Sequence, residues 1–287
     1  MTKKTTDVGF YARLIACTLA FLAAIFYLAH SCAALANNLP MLITPSMEAT
    51  VPWAIHMAVS ALAMIVMTGV ATALLRPVWI GILTFAVGAC LFPLVVGSGI
   101  GTWISAAVLF FILLSNLLFV NRQMKNQIKF SSHPTGEKKM IMASLLAALL
   151  CVSLGIGYLR DSAKRNYVFP PEATTFFSQM MMKTVQAQID AQKPPEEQRQ
   201  VALKEAETKV QKMVTDAEAK IKPNQKYIPI GLGAFAFFFL PIVFIFLSIL
   251  SAPLIPLVFW ILKVARFTHA ETDKVEVSRL TLRTTDQ

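Results

Sequence analysis

His30, Cys32, Met41, Met47, Glu48, His56 and Met57 are the residues of this chain best suited to shared chemistry. Imidazole, thiolate, thioether and carboxylate in one place suit copper or zinc, and two facing imidazoles suit haem. Within the set, His30, His56 and Glu48 are the candidate metal ligands. Their spacing matches no ligand motif, and histidine is an ordinary residue at a membrane surface. An outer-face metal or haem protein is therefore an alternative reading, and the first expectation is no cofactor.

Other catalytic signatures are missing from the sequence. It contains no H-E-x-x-H, P-loop, G-x-S-x-G or C-x-x-C pattern. Cys17, Cys32, Cys90 and Cys151 all lie within or at the edge of apolar segments, where cysteine behaves as a small hydrophobe rather than as half of a disulfide framework.

Those segments dominate the chain. Of its 287 residues, 56% are hydrophobic and only 15% charged, with a mean hydropathy of +0.60. An ordinary soluble domain is about one-quarter charged. The net charge of +10 does not indicate nucleic acid, because the basic residues flank the apolar runs instead of covering one exposed face. They are placed to meet anionic lipid and cytoplasm.

A helix needs about 20 apolar residues to cross a hydrocarbon core about 30 Å thick. Five runs satisfy this, at roughly 14–36, 53–75, 78–96, 100–120 and 140–159. A sixth, 228–262, is too long for one crossing and too short for two. Ser251-Ala252-Pro253 and Pro256 predict a crossing to about residue 250, followed by a proline-kinked or interfacial extension, with a re-entrant hairpin as the rival. All sixteen Asp and Glu lie outside the six runs. Proton-coupled carriers and many intramembrane catalysts need a carboxylate at depth, so neither is expected and the chain reads as a non-enzyme.

Sidedness follows from the cations. Fourteen Lys and Arg fall at the termini and in the loops on one side, while the opposite short loops, 37–52 and 97–99, contain none. The positive-inside rule then places both termini in the cytoplasm, in a plasma (inner) membrane, and 160–227 outside. The basic start, apolar stretch and Ala34-Leu35-Ala36 of the first run also imitate a signal peptide; cleavage there is a rival reading, and it leaves the other orientations unchanged.

The region 160–227 is of another kind, with nine acidic and twelve basic residues. Pro170-Pro171-Glu172 and Pro194-Pro195-Glu196-Glu197 mark two helix starts, and Lys220, Lys222 and Pro223 an ending. One stripe reads Phe176, Phe177, Met180, Met181, Val185, Ile189; the other reads Leu203, Ala206, Val210, Met213, Ala217, Ile221. The stripes are expected to bury each other in an antiparallel hairpin. Phe176, Phe177 and the run Met180-Met181-Met182 cover more than one face, and Phe176, Phe177, Met180 and Met181 are the candidate partner-binding residues.

Small residues recur at four-residue steps, Ala16, Ala20 and Ala24 in the first run and Ala143, Ala147, Cys151 and Gly155 in the fifth. Such faces let helices approach closely. The expected architecture is an all-α polytopic membrane bundle of about six transmembrane helices. It comprises a five-span bundle (1–159), an extracytoplasmic helical hairpin (160–227), a sixth span with its extension (228–266) and a cytoplasmic tail (267–287). Its expected partners are the lipid bilayer and a protein met through the hairpin. The first functional reading is a scaffold or accessory protein. The main alternative is a transporter or channel for a neutral or hydrophobic solute, using kinks at Pro93, Pro241 and Pro253.

Overall fold

The computed structural model describes residues 8–38, 47–125, 139–192 and 195–268. All the regular structure among them is helical, with no strand. We number the helices α1 (Val8–Asn37), α2 (Met47–Leu74), α3 (Val78–Val96), α4 (Ile100–Lys125), α5 (Lys139–Arg165), α6 (Pro171–Gln192), α7 (Glu196–Ile221) and α8 (Ile228–Val264), with a 3-10 segment at Lys222–Tyr227. Six of them, α1 to α5 and α8, are long and apolar enough to cross a membrane. In hydrocarbon every backbone polar group must be satisfied inside the segment, which a helix alone achieves.

Helix α2 lies at the centre, in contact with α1, α4, α5 and α8. Its polar side chains are internally satisfied: Ser60, Thr68 and Thr72 donate to the carbonyls of Met57, Met64 and Gly69 in the preceding turn. Around it the core is filled by Phe21, Ile25 and Leu28 of α1, Phe85 and Phe92 of α3, Leu109, Leu113 and Leu117 of α4, and Leu146 of α5, all fully buried. Phe21 and Phe85 meet with ring centroids 4.9 Å apart. Glycine on α3 makes room for neighbours, since a Cβ on Gly88 would lie 3.0 Å from the Phe21 ring and one on Gly81 2.9 Å from Leu117.

The two small-residue stripes fare differently. On α5, Ala147, Cys151 and Gly155 are buried, and α8 lies against them, Gly155 facing Pro229 and the Cys151 carbonyl facing Gly233. On α1, Ala24 is buried but Ala16 and Ala20 point outward. The inward face of α1 is instead Cys17, Phe21, Ile25, Leu28 and Cys32, because large side chains gain more from burial than alanine does. At Gly157 of α5 one helix meets the backbone of another, since a Cβ there would sit 2.9 Å from the backbone oxygen of Ala36.

Helix α8 runs through the proline segment. Its 37 residues, about 55 Å at 1.5 Å per residue, stay helical through Ser251-Ala252-Pro253 and Pro256, where the sequence suggests a kink or an interfacial extension. Ser251 donates its hydroxyl to the Ser248 carbonyl at 2.6 Å, the usual way a buried serine satisfies itself within its own helix. The stretch Ile242–Val264 is itself long and apolar enough to cross. Phe244, Ile255 and Phe259 bury one side of it in the core.

Helices α6 and α7 lie against one another, with Arg199 of α7 paired to Asp190 of α6 at 2.8 Å. That pair is largely exposed and contributes no more than about 1 kcal/mol. The contact is chiefly apolar.

Candidate functional site

Three parts of the molecule carry unusual side chains: the end of the bundle where α1 stops, the joint between α5 and α6, and the outward face of α6.

At the first, Arg160 lies over the Gly97 turn and extends Nη1 to within 3.4 Å of Asn37 Oδ1. A side chain on Gly97 would collide with the guanidinium, and its φ of +130° already demands glycine. On the same ends of α1 and α2, Trp53 donates its indole N–H to the Ser31 carbonyl at 3.2 Å, and Tyr27 Oη lies 2.7 Å from His56 Nδ1.

The metal-ligand candidates do not form one cluster among the described residues, where no group of three His, Cys, Asp or Glu side chains could hold an ion. His30 faces outward and stacks on Phe26, with centroids 6.5 Å apart. His56 is held by Tyr27, Glu48 is exposed, and Cys32 is fully buried. The reason is helical geometry. His30 and Cys32 are two residues apart on α1, so they occupy different faces. Met41 lies outside the described residues.

At the joint between α5 and α6 several side-chain hydrogen bonds converge. Tyr158, fully buried near the end of α5, donates its hydroxyl to the Val168 carbonyl at 2.6 Å. Tyr167 stacks edge-on against it at 6.2 Å and donates to Asp161 Oδ2 at 2.7 Å. Burial and the Asp161 hydrogen bond raise the Tyr167 phenol above its ordinary range. Arg165 bridges Asp161 and Glu172. Gln225, just before α8, donates Nε2 to the Tyr167 carbonyl at 2.8 Å. One knot thus ties the end of α5, the start of α6 and the return to α8. Sequence reasoning missed it, although the two tyrosines, in a region otherwise rich in charge, were a visible signal.

Removing one hydroxyl tests the knot. Tyr158→Phe leaves the Val168 carbonyl without its donor, at a cost of about 1–2 kcal/mol. Trypsin cleavage of the 161–170 segment is expected to accelerate by roughly 5- to 30-fold, while bundle melting stays the same. Equal cleavage rates would show the bond to be dispensable.

Beyond its first turn, where Glu172 and Ala173 are half-buried, the half-buried residues of α6 are Thr174, Ser178, Met182, Val185 and Ile189, and those of α7 include Leu203, Ala206, Val214 and Ile221, with Val210 buried outright. Each set forms one stripe, and the stripes meet. Met213 and Ala217, expected on the inner stripe of α7, are exposed. Of the expected α6 stripe only Val185 and Ile189 face α7, while Phe176, Phe177, Met180 and Met181 are 45%, 56%, 53% and 37% exposed. The small Thr174, Ser178 and Val185 let α7 approach, and the aromatic pair is turned away.

Arg13 of α1, Arg76 in the α2–α3 connection and Arg122 of α4 are assigned by sequence to the opposite side; Arg76 there donates to Asn121 Oδ1 on α4 at 2.5 Å. At depth, Asn116 is buried with its Oδ1 unpaired among the described residues. No family model matches this chain, and comparison with curated proteins and with solved structures likewise yields no match.

Proposed function

We propose that the protein is a non-enzymatic scaffold or accessory protein of the cell's inner (plasma) membrane. Its α6–α7 unit stands outside the cytoplasm as a helical hairpin and binds a protein partner through Phe176, Phe177, Met180 and Met181. One observation carries the reading: four large apolar side chains are exposed together on a helix that is too polar to cross the membrane. Water penalises such a patch by about 25 cal/mol per Å² of apolar area. A surface that keeps it is a surface that gets covered. The joint around Tyr158 and Tyr167 fits this use, since a held hairpin loses less entropy on binding than a loose one.

The test is a photoreactive residue in place of Met181, activated in native membranes. A discrete protein adduct is expected, with none from Glu207, an exposed position of the polar helix α7. If Met181 and Glu207 give the same diffuse background, the patch has no partner and the reading fails. Cleavage near Arg199 by protease added to intact cells, but not in inverted vesicles, checks the sidedness.

A further inference from the structure

The outward face of α6 has an order beyond its apolarity. Ala173, Phe177, Met180, Thr184, Ala187 and Ala191 follow one another at alternating steps of four and three. That is the seven-residue repeat of a helix packing lengthwise on another helix. None of the six is charged. The repeat is not consumed within the chain, because α7 packs on the opposite stripe and the five residues from Phe177 to Ala191 are all exposed.

We propose that this face joins two copies of the chain, their α6 helices packed in parallel as a short two-stranded coiled coil with Phe177 and Met180 at its centre. The proposal rests on the reading of α6–α7 as the exposed binding element and names its partner as a second copy. Three arguments select that occupant. First, the repeat is uncharged, so it meets its own image across a two-fold axis without repulsion, as a self-complementary contact requires. Second, two copies inserted the same way in one bilayer are related by an axis along the bilayer normal, and helices rising from the bilayer about that axis run parallel.

Third, the flanking positions agree with parallel packing. In that arrangement each flanking residue faces one five positions further along the other helix. Phe176 then faces the partner's Met181, an apolar pair, and Lys183 faces the partner's Gln188, so no like charges meet. The exposed Phe176 and Met181, which an isolated repeat leaves outside its seam, are thereby covered too. Alanine and threonine elsewhere in the repeat allow close approach but bury little area. Confinement to one membrane raises the effective concentration of copies and compensates for a short contact.

Disulfide trapping in native membranes, in a Cys90→Ser background because Cys90 is the exposed native thiol, tests this directly. Phe177→Cys and Met180→Cys are each expected to give a covalent dimer of the chain on mild oxidation, at least roughly tenfold more than Gln186→Cys on another face of α6. Co-expressed, differently tagged Ala173→Cys and Ala191→Cys chains are expected to form no mixed dimer, since parallel helices keep those ends apart. A mixed dimer overturns the parallel arrangement. The native chain, extracted in mild detergent, is expected to have twice the protein mass of one copy by light scattering. If neither Phe177→Cys nor Met180→Cys dimerises and the native chain is monomeric, self-contact is wrong. A photo-adduct from Met181 with a different protein would then preserve the broader partner reading, and an adduct with lipid alone would overturn both.

Discussion

Gly157→Leu is expected to destabilise the bundle by about 3 kcal/mol, the upper part of the range for overpacking a tight site. Even a Cβ there would lie 2.9 Å from the Ala36 oxygen and 3.0 Å from its Cα. These are backbone atoms, which cannot rotate away as a side-chain tip can. Helices α1 and α5 must separate or shift, and the nearby Arg160 link to Asn37 is lost with them. Gly231→Leu on α8 is the matched control. A Cβ at Gly231 would meet nothing within 4 Å, and leucine is the better helix former by somewhat less than about 1 kcal/mol. Its stability is expected to hold within about 0.5 kcal/mol or rise slightly. Unfolding by sodium dodecyl sulfate in mixed micelles measures both. Similar midpoints for the two variants would show that α1 and α5 do not touch at Gly157.

The second large effect lies outside the bundle. Phe177→Glu combined with Met180→Glu is expected to lower photo-adduct yield from Met181 by tenfold or more. Covering two unpaired carboxylates costs several kcal/mol, and about 1.4 kcal/mol already equals one factor of ten. Insertion and thermal melting are expected to stay unchanged, because both side chains are more than half exposed in the single chain. Val210→Glu should do the reverse. Val210 is only 2% exposed on α7, so a carboxylate there separates α6 from α7 and melts the pair. Undiminished adduct from the Phe177 and Met180 double variant would mean that the face is not a binding surface.

Much of this architecture was legible in one dimension because hydrocarbon imposes a strict rule on sequence. Charge is excluded from a run of about 20 residues, and the backbone must be helical. The runs at 14–36, 53–75, 78–96, 100–120 and 140–159 accordingly lie within α1 to α5, give or take a residue at a terminus. Helices α6 and α7 were equally visible, since proline and carboxylate signals mark their starts. The exposed Phe and Met residues were anticipated as surplus surface. Which residues line the contact between α6 and α7 was not, because a stripe of mixed large and small residues permits more than one rotation of a helix about its axis.

The chain's pattern of apolar runs and flanking cations, by itself, determined six helices of membrane-crossing length, the two polar helices between the fifth and sixth, and the absence of acidic groups from the crossing runs. Those features are local, written into consecutive residues by the energy of moving charge into oil. The tertiary structure alone decided that α5 meets the α1 backbone at Gly157 while Ala16 and Ala20 point outward, that among the described residues His30, Glu48 and His56 belong to no group of three that could hold a metal, and that Tyr158, Tyr167 and Gln225 tie both ends of the polar helices together. Each depends on the rotation of one helix against another, and that rotation is set by the shapes of all the neighbouring side chains at once.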